Sequence, residues 1–394
     1  MGKALIFKMF FQDIVGRFES EQTPFYHYDL KLLSQTLEAC KDAADSYGFH
    51  VHYAMKANFN RRVLELIRDA EFGADCVSGN EVNKAIEIGF APQKVVFAGV
   101  GKSDKEISEA LSHNIFCFNV ESVQELEVIN DLALKAGKKA RVALRINPNV
   151  DAHTHHNITT GLDENKFGIN QWELSACAEL LNRAQNLWLE GIHFHIGSQI
   201  TDMNVFKSLC IKVNEIKTWF EERGFNLNVL NVGGGLGVDY YQPDKNQVAD
   251  FKVYFDIFNQ FLERKPGQEV HFELGRALVA HCGSLISRVL YVKKGIKKNF
   301  LILDAGMTEL MRPALYQAYH KIENISRLDE TSSERIKYDV VGPICESTDC
   351  FGKEVELPDS ERGDLIAIRT AGAYGEVMAS RYNLRDEVRT VYSE

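Results

Sequence analysis

The residues best suited to chemistry lie at the ends of short apolar runs, and the first of them is a lysine. In the run HVHYAMKA, residues 50–57, strand alternation places His52, Ala54 and Lys56 on one face. Burial removes water from an inward-facing lysine, which makes its amine a usable nucleophile for a carbonyl group. In the alternative interpretation, Lys56 has passed the edge of the sheet and its ammonium group lies in water.

A glycine-rich turn and an acid end two later runs. GGGLG at residues 233–237 would let backbone N–H groups approach a phosphate, although such a turn can also serve packing alone. FELGR places Glu273 near Arg276 in an otherwise apolar stretch, where the carboxylate could pair with the arginine or bind a protonated ring nitrogen. An inward lysine, a phosphate cradle and a buried acid together provide the three contacts that pyridoxal phosphate requires.

Two histidines offer a rival chemistry. In HFHIGSQ, His193 and His195 share a face, and their H-x-H spacing can bind zinc. His153, His155 and His156 lie in an earlier loop and would add ligands. A metal-dependent barrel hydrolase is therefore an alternative function. No carboxylate cluster with ligand spacing accompanies these histidines, and we predict that the site holds no metal.

The periodic pattern of apolar residues predicts the strands and helices that position these residues. Eight short apolar, β-branched and aromatic runs alternate with segments in which apolar residues recur at intervals of three and four. This α/β pattern predicts a closed (β/α)8 barrel, with an open doubly wound sheet as the alternative. Active sites of such barrels lie at the C-terminal ends of the strands. The runs begin at residues 50, 73, 94, 115, 140, 189, 227 and 269.

The pattern changes after residue 276, where strand candidates follow one another without long helices. We expect a separate β-sandwich or β-barrel domain there. The N-terminal residues end in the strand-like segment TPFYHYDL and are expected to join that domain, because chain termini often lie close together. The predicted domains are a barrel at residues 30–276 and a β domain at residues 1–29 and 277–394.

Composition narrows the class of protein. The 394 residues are 45% hydrophobic and 25% charged, which is typical of a globular protein. A formal net charge of −10 argues against a nucleic-acid partner. No apolar run reaches the roughly 18 residues of a membrane span, and the apolar start lacks a signal cleavage site. Eight cysteines without a CxxC pair predict reduced thiols, and we expect a cytoplasmic protein.

Short motifs spread over residues 23–375 carry a family resemblance. They are TPFYHYD, YAMKAN, GADCVS, NPNVDAHTHHNITTG, KFG, HFHIGSQI, GGGLG, ELGR, MRPALY, CESTD and AGAYG. In these motifs the chain resembles the diaminopimelate decarboxylases, which are pyridoxal phosphate enzymes of the alanine-racemase-like barrel class. The resemblance implies decarboxylation of meso-2,6-diaminopimelate to L-lysine and CO2, the last step of lysine biosynthesis. The family usually has Pro in place of Leu274 and often Gly in place of Thr348, and neither position carries a catalytic group.

The resemblance also implies roles for individual residues around the cofactor. Lys56 would carry pyridoxal phosphate on its amine, and His195 would stack on the cofactor ring. Glu273 would keep the pyridine nitrogen protonated, which favours decarboxylation because a protonated ring is the better electron sink. The implied cofactor contacts are Lys56, His195, Ser198, Gly234, Gly235, Glu273, Gly275, Arg276 and Tyr374.

Substrate recognition follows from the same resemblance. Diaminopimelate carries a second amino-acid head, and its pocket must neutralise a carboxylate and an ammonium at a fixed separation. Glu346 would pair with the distal ammonium, and Cys345 would donate a proton to the decarboxylated carbon from the β domain of a second subunit. We therefore expect a homodimer with shared active sites. The implied substrate contacts are Arg276, Arg312, Tyr316, Glu346 and Tyr374.

Related functions remain open at this point. Other barrel decarboxylases act on ornithine, arginine or carboxynorspermidine, and those resembling ornithine decarboxylase tend to have Asp in the loop where Cys345 and Glu346 stand. A non-catalytic cofactor-binding homologue would keep Lys56 and lose the substrate contacts. The sequence assigns no role to Asp75 or to the three loop histidines.

Overall fold

The computed structural model describes residues 12–150, 166–328 and 335–394, and His153, His155 and His156 lie outside them. The strands of the described residues are β1 (Phe25–Asp29), β2 (Phe49–Ala54), β3 (Gly73–Cys76), β4 (Val95–Phe97), β5 (Cys117–Val120), β6 (Ala140–Arg145), β7 (Leu187–His193), β8 (Val229–Asn231), β9 (Glu269–Leu274), β10 (Gly283–Lys294), β11 (Asn299–Leu303), β12 (Ile322–Asn324), β13 (Arg335–Val341), β14 (Cys350–Pro358), β15 (Leu365–Ile368) and β16 (Arg389–Ser393). The helices are α1 (Gln12–Glu19), α2 (Leu30–Asp45), α3 (Arg61–Asp69), α4 (Gly79–Ile88), α5 (Asp104–His113), α6 (Val123–Lys135), α7 (Leu174–Arg183), α8 (Met203–Glu221), α9 (Phe251–Phe261), α10 (Arg276–Val279) and α11 (Arg312–Tyr316).

The chain divides into two compact units. The first, called the barrel unit, comprises Leu37–Gly237 and Asp250–Arg276. The second, called the β unit, comprises Met1–Thr36, Val238–Ala249 and Ala277–Glu394. The units place residues 30–36 and 238–249 with the β unit. The domain limits expected from the sequence stay a prediction.

Strands β2 to β9 of the barrel unit form a closed parallel barrel, in which each strand pairs with the next and β9 pairs with β2. The predicted (β/α)8 barrel is confirmed, and each of the eight predicted runs overlaps a barrel strand. The runs are longer than the strands, since β2 ends at Ala54 and Met55–Ala57 form a 3-10 turn. The prediction that alternation places Lys56 on the face of His52 is therefore wrong, because the turn carries the lysine.

Side-chain caps start several of the helices that follow barrel strands. Ser78 accepts a hydrogen bond from the amide of Glu81 at the start of α4, and Ser122 caps α6 in the same way. At α5 the cap is reciprocal, because the carboxylate of Glu106 also accepts from the amide of Ser103. Each cap satisfies an amide that has no partner within the helix and fixes the point at which the chain turns back.

Strand β9 shows how the barrel separates an apolar exterior from a polar interior. Phe272 packs outward, and its ring centroid lies 4.8 Å from that of Phe255 and 4.9 Å from that of Phe258 on α9. The next residue, Glu273, points inward and contacts side chains of β5, β7 and β8. Because side chains alternate along a strand, the inner face of β9 also carries His271 and Glu269. Polar groups therefore line this strand inside the barrel from end to end.

The β unit contains a mixed sheet with the strand order β12-β15-β10-β11-β13-β14, and β1 pairs with β10 and β16. The predicted β domain is confirmed, and β1 joins it as expected. Part of its core forms where Val15 and Phe18 of α1 pack against Phe25 and Ile286. The sequence pattern does not reveal β14 and β16, because most of their side chains are exposed or half-buried and no apolar run marks them.

Two chain-wide features complete the fold. All eight cysteines are free, and six of them are buried, as expected of small apolar side chains. The other two are Cys345, which is exposed, and Cys350, which is half-buried. Within the described segments, no helix has both the length and the hydrophobicity needed to cross a membrane.

Candidate functional site

Lys56 lies at the C-terminal rim of the barrel. Its Nζ is 3.4 Å from Oδ2 of Asp75, a buried residue of β3. Asp75 is fully buried, whereas 34% of the lysine side chain is exposed. Burial, and after it the charge of Glu273, raises the pKa of Asp75 to about 8 against the opposing effect of Lys56. The amine of Lys56 is therefore accessible to solvent, and the buried carboxyl group of Asp75 holds it in position.

Glu273 is the central acid of the barrel interior. Its Oε1 accepts hydrogen bonds from the side-chain amides of Asn119 at 3.0 Å and Asn231 at 2.8 Å. Its Oε2 accepts from Nε2 of His193 at 3.0 Å. Burial would raise the pKa of Glu273, but the neighbouring histidines and lysine outweigh burial and hold this pKa well below its usual range. The buried carboxylate is therefore ionised.

His195 follows β7 and lies half-buried beside the glycine-rich turn. Its Nδ1 accepts a hydrogen bond of 3.5 Å from the amide of Gly234. Burial, and after it the positive charges of Lys56 and Arg145, lowers the pKa of His195 well below its usual range. The imidazole is therefore neutral and offers a flat, uncharged ring at the rim.

The glycine-rich turn packs against two neighbouring strand ends. A Cβ on Gly234 would lie 1.8 Å from the carbonyl oxygen of Glu273, and one on Gly235 would lie 2.8 Å from that of Gly197. Gly233 and Gly235 also have positive φ angles of 68° and 109°, which other residues rarely adopt. Packing and backbone shape both require glycine here. The turn therefore exposes backbone without side chains at the rim. It can serve packing and still leave backbone N–H groups accessible to a phosphate.

A guanidinium and a hydroxyl lie in the same part of the rim. Arg276 donates hydrogen bonds to Oγ of Ser198 from Nε at 3.4 Å and from Nη2 at 3.1 Å. Gly275 precedes this arginine, and a Cβ there would approach those of Ala54 and Ala57 at 3.1 and 3.0 Å. A fixed guanidinium, a hydroxyl and closely packed glycines form a suitable surrounding for an anion.

The residues predicted from the sequence do not include a buried ion pair that the structure places at the rim. Arg145 at the end of β6 donates from Nη1 to Oε1 of Glu121 at 2.7 Å, and both side chains are buried. The amides of Gly99 and Gly168 bind the same carboxylate. A usable signal exists in the sequence, because Arg145 ends an apolar run just as Glu273 does. The same signal marks the residues around Glu273, which are Asn119, His193 and Asn231.

Arg312 belongs to the β unit, where it starts α11 and is buried. Its Nη1 donates to Nε2 of His320 at 2.8 Å, and its guanidinium carbon lies 4.9 Å from the ring centroid of Tyr240. Nδ1 of His320 lies 2.8 Å from the carbonyl oxygen of Arg369, which can only accept, so this nitrogen carries the hydrogen. Nε2 therefore has the lone pair that receives the arginine. Tyr316 ends the same helix and is half-buried.

Cys345 and Glu346 lie together on an exposed loop of the β unit. The backbone amide of Cys345 donates to the side-chain oxygen of Asn383 at 3.2 Å. Oε1 of Glu346 accepts from the hydroxyl of Tyr382 at 2.9 Å. The buried carboxylate of Asp349 shapes the loop by accepting from the amide of Ile344. The thiol and the carboxylate are thus presented to solvent on a braced turn.

The predicted site residues fall into two groups. The barrel unit brings together Lys56, His195, Ser198, Gly234, Gly235, Glu273, Gly275 and Arg276. The β unit carries Arg312, Tyr316, Cys345, Glu346 and Tyr374. Tyr374 is half-buried and has a left-handed backbone with a φ of 57°. Of the two departures from the family pattern, Leu274 is buried at the end of β9, and Thr348 is exposed.

The barrel rim fits pyridoxal phosphate. The ionised carboxylate of Glu273 matches a protonated ring nitrogen, and the neutral ring of His195 matches a stacking partner. Lys56 supplies an amine for the aldehyde. The turn in which Gly234 has no room for a Cβ, together with Arg276, matches the phosphate.

The rival zinc site is not found among the described residues. Nε2 of His193 donates to Glu273, and Nδ1 of His195 accepts from a backbone amide. In the part of the chain that the structure describes, the group close enough to share a metal ion consists of His50, Glu269 and His271.

Comparison with known proteins finds close relatives. Residues 33–280 match the family described as pyridoxal-dependent decarboxylase, pyridoxal binding domain. The chain is 56% identical to diaminopimelate decarboxylase of Bacteroides thetaiotaomicron over 374 residues, which cover 94% of this chain and 96% of that protein. It is 43% identical to diaminopimelate decarboxylase of Helicobacter pylori over 375 residues, covering 94% and 90% of the two chains. The crystal structure of diaminopimelate decarboxylase from Helicobacter pylori complexed with L-lysine matches with a TM-score of 0.90 and 41% identity, covering 97% of this chain and 94% of that one.

Proposed function

The chain belongs to the pyridoxal-dependent decarboxylases, and among them to the diaminopimelate decarboxylases, and on this basis we propose how its residues carry out the reaction. It is a carboxy-lyase that uses pyridoxal phosphate and converts meso-2,6-diaminopimelate to L-lysine and CO2. The relatives give no support to a metal-dependent hydrolase or to a decarboxylase of ornithine, arginine or carboxynorspermidine.

One observation carries the proposed roles: the buried carboxylate of Glu273 accepts hydrogen bonds from three side chains inside the barrel. When bound, pyridoxal phosphate would supply an acceptor for the electron pair that departing CO2 leaves behind. Glu273 would support this chemistry by holding a proton on the ring nitrogen. Lys56 would hold the cofactor through its amine, which Asp75 keeps in place. His195 would pack against the ring as a neutral imidazole.

The phosphate end of the cofactor is bound by the groups beside the glycine-rich turn. Arg276 provides the positive charge and Ser198 a hydroxyl, and their mutual hydrogen bonds fix both side chains before the cofactor arrives. The backbone at Gly234, Gly235 and Gly275 would let the anion approach closely, because no side chain intervenes. Tyr374 completes the cofactor contacts in this proposal.

The second amino-acid head of the substrate is recognised by charged groups. Arg312, Tyr316 and Arg276 bind its carboxylate, and Glu346 binds its ammonium. Cys345 donates a proton to the carbon that has lost CO2. Its exposure in a single chain supports a role in the active site of a neighbouring subunit. We therefore include a homodimer with shared active sites in the proposal.

The proposal also places the protein in the cytoplasm. The eight free cysteines support this location, because reducing compartments keep thiols unpaired. The substrate and product are small amino acids, and no nucleic-acid or membrane partner is part of the proposed function.

The decisive experiment compares CO2 release from diaminopimelate, ornithine, lysine and arginine by the purified enzyme with pyridoxal phosphate. We expect a strong preference for diaminopimelate, because it alone presents a second carboxylate and ammonium together. Preference for a substrate without the second carboxylate would contradict the assignment. Borohydride reduction followed by peptide mapping tests the cofactor link independently, and it should label Lys56 and no other lysine.

A further inference from the structure

Four polar side chains on the neighbouring strands β2 and β9 have no part in the proposed function. His50 and His52 lie on β2, and Glu269 and His271 lie on β9. His50 and His271 are opposite each other in the register of the two parallel strands. Three of these residues, His50, Glu269 and His271, each offer a ligand atom, and the three atoms all lie within 4.8 Å of one another.

The hydrogen bonds of the cluster fix the tautomers of two histidines. Nδ1 of His52 lies 3.1 Å from the carbonyl oxygen of Lys94, which can only accept, so this nitrogen carries the hydrogen. Nε2 of His52 therefore has a lone pair, and it accepts from Nδ1 of His271 at 2.9 Å. His271 is thus oriented with Nε2 facing Glu269.

In this tautomer, the contact between His271 and Glu269 leaves room for a shared cation. Nε2 of His271 lies 2.9 Å from Oε2 of Glu269, and a carboxylate can only accept. With its hydrogen already on Nδ1, a neutral His271 has a second acceptor at Nε2. Two acceptors at this distance repel each other unless a second proton or a metal ion stands between them.

The spacing of the ligand atoms suits a metal ion. Tetrahedral zinc with bonds of about 2.0–2.2 Å separates its ligand atoms by roughly 3.3 Å. The carboxylate oxygen of Glu269 lies 2.9 Å from Nε2 of His271 and 4.0 Å from Nε2 of His50, values on either side of that separation. His50 and Glu269 are about half exposed, at 53% and 51% of their side chains, and can adjust. His271 is buried and already oriented by His52.

From this geometry we propose that His50, Glu269 and His271 bind a divalent ion of the zinc class, with water in the fourth position. Two imidazole nitrogens and one carboxylate oxygen form a ligand set that zinc accepts. His52 acts as a positioning residue, because its hydrogen bond presents Nε2 of His271 to the metal. The ion binds across the seam between β2 and β9, the first and last strands of the barrel.

The position of the site indicates a structural role. Glu269 begins β9, whereas Glu273 of the cofactor site lies near the other end of the same strand. A metal ion that joins β2 to β9 holds the barrel closed without touching the groups that bind cofactor or substrate. Binding to the folded chain alone stabilises it by mass action.

The test uses the tag-free holoenzyme, dialysed against metal-free buffer and then titrated with zinc or cobalt chloride. We expect one ion per chain after gel filtration, measured by mass spectrometry, and the visible absorption of four-coordinate cobalt. The unfolding temperature should rise with zinc concentration. His50→Ala and Glu269→Gln, both at exposed positions, should weaken zinc binding at least tenfold and abolish the temperature shift, while His113→Ala should leave both unchanged.

Two results would overturn the proposal. If the dialysed enzyme takes up no zinc at micromolar concentration, His271 and Glu269 share a proton only. If zinc binding persists in His50→Ala and disappears in Cys345→Ala, the ion is held by the exposed thiol and not by this cluster. Neither result depends on decarboxylase activity, which the His50 and Glu269 variants should retain.

Discussion

Nε2 of His193 donates a hydrogen bond of 3.0 Å to Oε2 of Glu273, and both side chains are buried inside the barrel. The other carboxylate oxygen accepts from Asn119 and Asn231, so that β5, β7 and β8 each contribute one donor. The charge of Glu273 is therefore oriented by the protein before any ligand is present. Such preorganisation lets a charged group act on a bound ring without first having to rearrange.

The first prediction concerns this charge. Glu273→Gln removes the ionised oxygen while keeping the shape, and we expect kcat to fall by about 10²-fold or more, as for other preorganised electrostatic groups. Cofactor should still bind, because the phosphate contacts are unchanged. The matched control is Glu269→Gln on the same strand, for which we expect the activity of the unmodified enzyme. Steady-state CO2 release and the cofactor absorbance measure the two effects. Equal activities in the two variants would remove Glu273 from the mechanism.

The barrel could be predicted from the sequence because its signal is repeated and local. Each of the eight runs carries β-branched or aromatic residues and is followed by a helical period. The end of β2 could not be predicted in this way, because MKA continues the apolar alternation although the chain turns there. Strands β14 and β16 escaped prediction for the opposite reason, since partners in the sheet stabilise them and their own side chains stay largely exposed.

The sequence reveals some residues of the site and not others, for similar reasons. Lys56 and Glu273 stand out in the sequence because each is a charged residue in an apolar run. The pair of Arg145 and Glu121 could be suspected one residue at a time, but only the fold shows that β6 and the end of β5 bring them together. His50 and His271 are more than 200 residues apart in the sequence. They come together only because β2 and β9 pair to close the barrel.

A second prediction follows from the raised pKa of Asp75. The folded chain keeps this carboxyl protonated up to about pH 8, whereas the unfolded chain releases the proton above its usual pKa of 3.8. The contribution of Asp75 to the free energy of unfolding therefore decreases as the pH rises through this window. Asp75→Asn does not titrate, so its unfolding temperature relative to the unmodified protein should increase from about pH 5 to pH 8. Calorimetry of the cofactor-free proteins tests this, and a constant difference would contradict the assignment.

A third prediction concerns the glycine-rich turn. Gly234→Ala places a Cβ 1.8 Å from the carbonyl oxygen of Glu273, which is backbone and cannot move away cheaply. We expect a loss of about 1–3 kcal/mol in the free energy of unfolding, together with weaker cofactor binding. Gly101→Ala is the control, because a Cβ there meets nothing within 4 Å. Chemical denaturation compares the two, and equal stabilities would show that the turn can shift as a whole.

A fourth prediction tests the proposed proton donor. Cys345→Ala should leave cofactor absorbance unchanged and slow turnover on the order of 10²-fold or more, as the loss of a positioned acid does. Cys350→Ala provides a nearby thiol control, since that side chain is half-buried at the start of β14. Single-turnover measurements separate the proton-transfer effect from product release. An unchanged rate in Cys345→Ala would exclude its thiol from the reaction.

The last prediction concerns how Arg312 is held. His320 accepts from its Nη1, and the tautomer is fixed because Nδ1 of His320 donates to the carbonyl of Arg369. His320→Phe removes the acceptor of this hydrogen bond from the buried guanidinium, at a cost of about 1.5–3 kcal/mol for a charged hydrogen bond. If Arg312 binds the distal carboxylate of the substrate, this loss should raise KM for diaminopimelate by roughly 10-fold or more and change kcat less. His320→Gln can still donate and accept at the two positions and should restore part of the affinity. A KM that does not respond to His320→Phe would mean that Arg312 does not depend on His320 for its position.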